Sequence, residues 1–194
     1  MTPGPGAKPS EAGEDARVAR TRADVARAAL QVLTTEGSDA VTHARVAEIA
    51  GYSKTTLYTH WPARFDLIVV ALDALGELPH HPRSGDVRAD LIGELQVFRE
   101  AVVEMRLDRI LAGMIQWASV DEMCQIRDAI NTEGQRPVRE MLGEYFEGFE
   151  LEAVVSMLAG VVACPSIMFG TLPDDAAIGA AVDIVLRSAR RPPK

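Results

Sequence analysis

Over residues 54–61 the chain groups polar side chains on one side of a short helical segment. Lys54, Thr55, Tyr58 and Thr59 face one way, Thr56 and His60 lie at the margins, and Leu57 and Trp61 face the other. An ammonium, hydroxyls, a phenol and an imidazole at this spacing form no nucleophile–base set. They are hydrogen-bond donors, and donors in a row on a helix meet base edges and phosphate oxygens. The flanking residues position them. Thr42 is suited to cap a preceding helix by accepting from the N–H of Ala44 or Arg45. Val46, Ile49 and Ala50 then recur on one side, and Gly51 stands where a helix end needs a left-handed residue. Ser53 can cap the next helix, read as Lys54 to Trp61, which Pro62 stops. A helix this short does not persist in water unless it is packed. Its polar side is therefore held outward, as a helix-turn-helix holds its second helix for the major groove.

The run Ala50-Gly51-Tyr52-Ser53-Lys54-Thr55-Thr56-Leu57-Tyr58-Thr59-His60-Trp61-Pro62 resembles the end of the DNA-binding domain of TetR-type transcriptional regulators. There Ala-Gly-Val-Ser-Lys-x-Thr-Leu-Tyr-x-His-Phe is typical. The likeness extends upstream through Ala28-Ala29-Leu30-Gln31-Val32-Leu33 and Glu36-Gly37, and downstream to about Leu72. It implies an all-α chain with an N-terminal three-helix helix-turn-helix domain and a C-terminal helical ligand-binding and dimerisation domain. It also implies a homodimeric repressor on a palindromic operator of double-stranded DNA, released by a small-molecule effector of unknown identity. Carried onto this chain, Lys54, Thr55 and Thr56 would read base edges, and Ser53 would cap the reading helix, whose N-terminus favours a phosphate. Thr42, Tyr58, His60, Arg64 and Arg45 would hold the phosphate backbone. Three positions depart from the pattern. Tyr52 replaces a small buried Val, so the turn must house a ring. Thr59 stands where a basic residue is common, and Ala44 where an Arg often reads a base.

Charge is divided along the chain. The net charge is −8, yet residues 16–64 hold seven Lys and Arg against four acids, while residues 65–194 hold twelve against twenty-one. A basic head on an acidic body draws the head toward phosphates and keeps the body away. Two cysteines without paired spacing, and no signal-peptide pattern, lead to the expectation of a reducing cytoplasm. The Pro- and Gly-rich residues 1–15 are expected to be a disordered tail. Arg17, Arg20 and Arg22 then precede a helix with Val25, Ala28, Ala29, Val32 and Leu33 on one stripe. They read either as a solvated helix start or as a phosphate-contacting arm. The helix-turn-helix domain is expected over 16–62, a connecting helix over 63–79 with Phe65, Ile68, Leu72 and Leu75 inward, and the C-terminal domain over 80–194.

Beyond a loop at 80–85, helical patterns recur near 86–106, 107–119, 121–148, 150–169 and 174–190, with Pro137 expected to kink or split the third. The last two are apolar all round, which predicts a second subunit against them, with Val155 and Val182 at that interface. The uncharged run 153–173 raises a membrane-tethered alternative. Against it stand Pro165-Ser166 at its centre and acidic flanks without Lys or Arg. An apolar effector cavity is expected near Phe98, Met105, Met114, Trp117 and Met123, although such residues at helical spacing also make plain core. His80-His81 lack partners at metal-ligand spacing and read as exposed loop residues, and both cysteines read as packing residues. With no phosphate loop and no nucleophile elbow, neither cofactor nor enzymatic chemistry is expected. The rival from another class is a ligand-binding or membrane-tethered helical module that no longer reads DNA.

Overall fold

The computed structural model of the chain describes residues 11–117 and 120–189. Those residues form nine α-helices and one 3₁₀ turn, with no strand among them, and divide into two compact units after Gly76. Of the expected tail, residues 1–10 lie outside the described residues. From Glu11 the chain is already helical, so α1 (Glu11–Thr35) begins within the stretch read as tail.

In the first unit α1 buries Val25, Ala28, Ala29, Val32 and Leu33, the stripe that its spacing implies. Against it pack α2 (His43–Ala50) and α4 (Arg64–Asp73), while α3 (Lys54–His60) packs on α2. The turn between α2 and α3 relies on Gly51 at φ 74°, where a side chain would be strained. α4 ends at Asp73, short of the Leu78-Pro79 expected from sequence, and belongs to this unit rather than forming a separate connector. It buries Leu67, Ile68, Val70, Ala71 and Leu72, leaving Phe65 and Leu75 only half-buried.

The second unit holds α5 (Val87–Glu104), α6 (Leu107–Gln116), α7 (Asp121–Leu142), α8 (Gly148–Met168) and α9 (Asp175–Ser188). α5 is its centre, touching each of the other four. Pro137 and Pro165 sit inside α7 and α8 without ending either, so the expected split of α7 does not occur. α8 is long and apolar enough to cross a membrane by length and composition. One side of it, Val154, Val155, Leu158 and Val162, is nevertheless buried within this unit. Val155 and Val182 are 1% and 0% exposed, so both belong to the protomer core and not to an outer face. The outward stripe of α8 is Met157, Cys164 and Met168, and α9 presents Ile184. Cys164 is exposed on the protomer, whereas Cys124 is half-buried with its thiol 3.6 Å from the Val120 carbonyl.

The segment leading into α5 is pinned by two buried carboxylates. Asp90 accepts from Ser84 N (2.9 and 3.1 Å), Ser84 Oγ (2.5 Å) and Gly85 N (3.0 Å). Glu94 accepts from the His81 N–H at 2.8 Å and is 2.6 Å from His80 Nδ1. Gly93 makes the approach possible, since a Cβ there would lie 2.6 Å from the His81 ring. His80 and His81 are both half-buried, which corrects their reading as exposed loop residues. The Ser84 hydroxyl, and after it the Ser84 N–H, hold the Asp90 carboxyl below the usual carboxylate range.

A depressed folded pKa means that Asp90 stabilises the fold fully above its unfolded value of about 3.9 and loses that contribution as pH falls through the folded value. Urea unfolding of the parent chain and of Asp90→Asn is expected to show a stability gap that is constant at neutral pH and narrows below about pH 4. A gap unchanged down to pH 3 would show that the carboxylate is not held in this way.

Candidate functional site

The polar face begins with two caps. Thr42 Oγ1 accepts from Arg45 N at 3.2 Å and Ser53 Oγ from Thr56 N at 3.1 Å, satisfying N–H groups that the helix starts leave bare. α3 then buries Leu57 and, at its end, Trp61. His43 ties this end to the start of α2. Its Nε2 lies 2.6 Å from the Trp61 carbonyl, and since a carbonyl only accepts, Nε2 must carry the proton. The same ring stacks on Tyr58, with centroids 3.9 Å apart and planes 13° from parallel. His43 is buried, and nothing in its immediate neighbours marks its role, because its partner Trp61 lies far along the chain. Tyr52 resolves the first departure from the family pattern: its ring reaches back to α1 and its hydroxyl donates to Asp24 at 3.0 Å.

What remains outward is sharply sorted. Lys54, Thr55, Tyr58, Thr59 and His60 are exposed. Among the described residues the Lys54 ammonium has no ion pair and the Tyr58 hydroxyl no hydrogen bond. Thr56 is half-buried and shares a 2.8 Å hydrogen bond with Ser53 Oγ, and Thr59 returns its hydroxyl to the Thr55 carbonyl at 2.8 Å. Arg17, Arg20 and Arg22 of α1 line a groove together with Tyr52, Thr56 and His60, so these cations adjoin α3. Arg45 and Arg64 are differently placed. Arg45 bridges Glu36 (2.8 Å) and Glu48 (2.8 Å), and these carboxylates, Glu36 first, raise its pKa above the usual guanidinium value. Arg64 donates to the Val41 carbonyl at 3.0 Å and to the Ser38 carbonyl, tying α4 to the loop before α2. Both guanidinium groups are already engaged in holding the fold.

This arrangement has known counterparts. The sequence profile described as "Bacterial regulatory proteins, tetR family" matches residues 25–70, from the buried stripe of α1 through most of α4. The first unit is thus a TetR-type helix-turn-helix domain. The chain is 30% identical over 116 residues to the HTH-type transcriptional regulator TtgR of Pseudomonas putida, a stretch that spans 55% of each protein. It is 29% identical over 185 residues to the DNA-binding transcriptional repressor TetR of Mycobacteroides abscessus, covering 84% of this chain and 90% of that one. Among solved structures, the TetR family transcription regulator SCO0332 superposes with a TM-score of 0.63 at 29% identity, covering 89% of this chain and 100% of the other. The chain thus spans about half the length of the first curated TetR-family relative named here and nearly all of the second.

The second unit contains a cavity of about 120 Å³ between α5, α6, α7 and α8. Phe98 and Met114 line it, as their sequence context implies, along with Leu95, Ile110, Val138 and Val155. Met105, Trp117 and Met123 do not, which corrects the expected set. All three sit at helix ends: Met105 and Trp117 are the C-terminal cap residues of α5 and α6, and Met123 lies in the first turn of α7. Trp117 instead folds back over Gly113, where a Cβ would lie 2.8 Å from its ring. His80 and Glu94 line the cavity too, although neither was expected there. No group of His, Cys, Asp and Glu suited to a metal occurs among the described residues.

His43→Phe tests the tie between α2 and α3, because it keeps a ring for Tyr58 but removes the donor to Trp61. The buried carbonyl left without its partner should destabilise the first unit by about 1–3 kcal/mol in urea unfolding. Unchanged stability would show that His43 does not hold the end of α3.

Proposed function

We propose that the chain is a homodimeric transcriptional repressor that reads a palindromic DNA operator with α3 and is released when a small, largely apolar molecule enters the cavity of the second unit. One observation carries this reading: a seven-residue helix, capped and tied at both ends, that presents Lys54, Thr55, Tyr58 and His60 to solvent. In this reading Lys54 and Thr55 read base edges, with Thr56 at the margin. Thr42, Tyr58 and His60 hold phosphates, and the N-terminus of α3 beside Ser53 favours another. Arg17, Arg20 and Arg22 extend the positive face. Arg45 and Arg64 serve chiefly by fixing the loops that carry it. The names of the relatives support regulation, and the cavity supports an effector: its volume of about 120 Å³ approaches the roughly 150 Å³ of apolar space that holds a benzene ring.

The experiment uses duplex recovered by random-sequence selection. If a dimer neutralises about six to ten phosphates, affinity should fall about 10³–10⁵-fold from 50 to 200 mM salt. Lys54→Ala should relax preference at one position by about 1–3 kcal/mol, while Tyr58→Phe should weaken all sequences about equally. If both variants keep the parent's affinity and preference, α3 is not the reading helix.

The uncovered apolar stripe of Met157 and Met168 on α8 with Ile184 on α9 supports the dimer, since exposed patches of this kind mark interfaces. Met157→Glu and Ile184→Glu should yield folded monomers, whereas Val155→Glu and Val182→Glu should unfold the protomer, because a charge buried in its core has no partner. Sedimentation at micromolar concentration separates these outcomes, and a parent chain that sediments as a monomer would contradict the interface.

A further inference from the structure

The cavity is apolar except at one end. There the segment that leads into α5 forms its wall: Leu78, Pro79 and His80 line the space together with Glu94 of α5 and with Asn131 and Gln135, one turn apart on α7. That segment is held tightly on both sides. A Cβ on Gly134 of α7 would lie 3.3 Å from Leu78 Cδ1, and one on Gly93 of α5 would lie 2.6 Å from the His81 ring.

Glu94 is 5% exposed, an uncommon place for a carboxylate in an otherwise apolar wall. It already accepts from His80 Nδ1 at 2.6 Å and from the His81 N–H at 2.8 Å. A carboxylate offers about four acceptor sites, so these two bonds leave capacity for a third donor. His80 is also incompletely used. Its Nε2 is shielded from solvent without a hydrogen-bond partner, with Glu133 Oε1 standing 3.6 Å away. If the wall existed only to close a core, an apolar side chain would serve better than a buried acid with spare acceptors.

We propose that the cavity takes a small aromatic ring bearing a hydroxyl, with the hydroxyl received by the Glu94–His80 pair. The ring lies among Phe98, Ile110 and Met114, and the hydroxyl donates to Glu94. A volume of about 120 Å³ suits a single ring. The inference rests on the cavity being the effector site and adds the chemistry of its ligand. It also gives the ligand a direct grip on the segment 78–81, whose anchor on α5 is the same Glu94.

Phenol and benzene differ by that hydroxyl alone, so sealed-cell calorimetry of the full chain with each provides the test. A purely apolar cavity prefers benzene, because the hydroxyl loses its water without replacement. The proposal instead requires phenol to bind roughly tenfold or more tightly than benzene. Glu94→Gln and His80→Phe should each bring the phenol-to-benzene affinity ratio, measured within the same variant, most of the way to one, and Ala159→Leu, which takes up space in the cavity, should weaken both ligands. Benzene binding as well as or better than phenol, or a preference that survives both polar-end variants, would overturn the hydroxyl assignment and leave the effector cavity standing. Failure of both molecules to bind the parent chain would overturn the cavity reading along with it.

Discussion

Seven residues cannot hold a helix in water, and the first unit is organised around that constraint. α3 exists because Leu57 and Trp61 are buried beneath it, Ser53 caps its start, and His43 holds the Trp61 carbonyl at its end. Every stabilising contact therefore lies on one side or at the ends. The other side is left to Lys54, Thr55, Tyr58 and His60, none of which is needed to hold the helix by burial. The stacking of Tyr58 on His43 is the exception that orders the face: it fixes a ring on the rim while leaving the hydroxyl outward. A surface whose donors are rigid before a ligand arrives loses less entropy on binding than one that must first fold.

The second unit solves a different problem, which is to keep a space among packed helices. α5 lies at the centre, and the segment before it is nailed down by Asp90 and Glu94 instead of by apolar packing alone. Hydrogen-bonded carboxylates make the wall directional. They fix the path of residues 78–85 and place polar groups at one end of an apolar cavity. Ion pairs hold the perimeter, among them Arg88 with Asp183 at 2.6 Å and Arg99 with Asp175 at 2.8 Å, both joining α5 to α9. Exposed pairs of this kind contribute little energy individually but bias which faces meet.

What could be read from sequence was local. The caps at Thr42 and Ser53, the left-handed Gly51, the stripe of α1 and most helix limits in the second unit follow from neighbours a few residues apart, although α7 ends at Leu142, six residues short of the expected 148. What could not be read depends on pairs far apart in the chain. Arg45 meets Glu36 nine residues back, Arg64 reaches Val41 and Ser38, and His43 meets Trp61, so composition alone overstated how many cations were available. Three of the five residues expected at the cavity, Met105, Trp117 and Met123, lie outside its lining for the same reason. Trp117 and Met123 are apolar and bulky, but which residues line a space is decided by which helix faces converge and not by residue type. Val155 and Val182 show the limit of an all-apolar helix, where periodicity identifies no inner side until the neighbours are placed.

The central claim is that the outward side of α3 is a binding surface for DNA. Amide hydrogen exchange, followed residue by residue with and without a selected duplex, addresses it without altering the chain. The duplex is expected to slow exchange across residues 53–60 and at the start of α2, with the cavity helices unprotected by direct contact. Protection that leaves residues 53–60 unchanged while the duplex remains bound would contradict it.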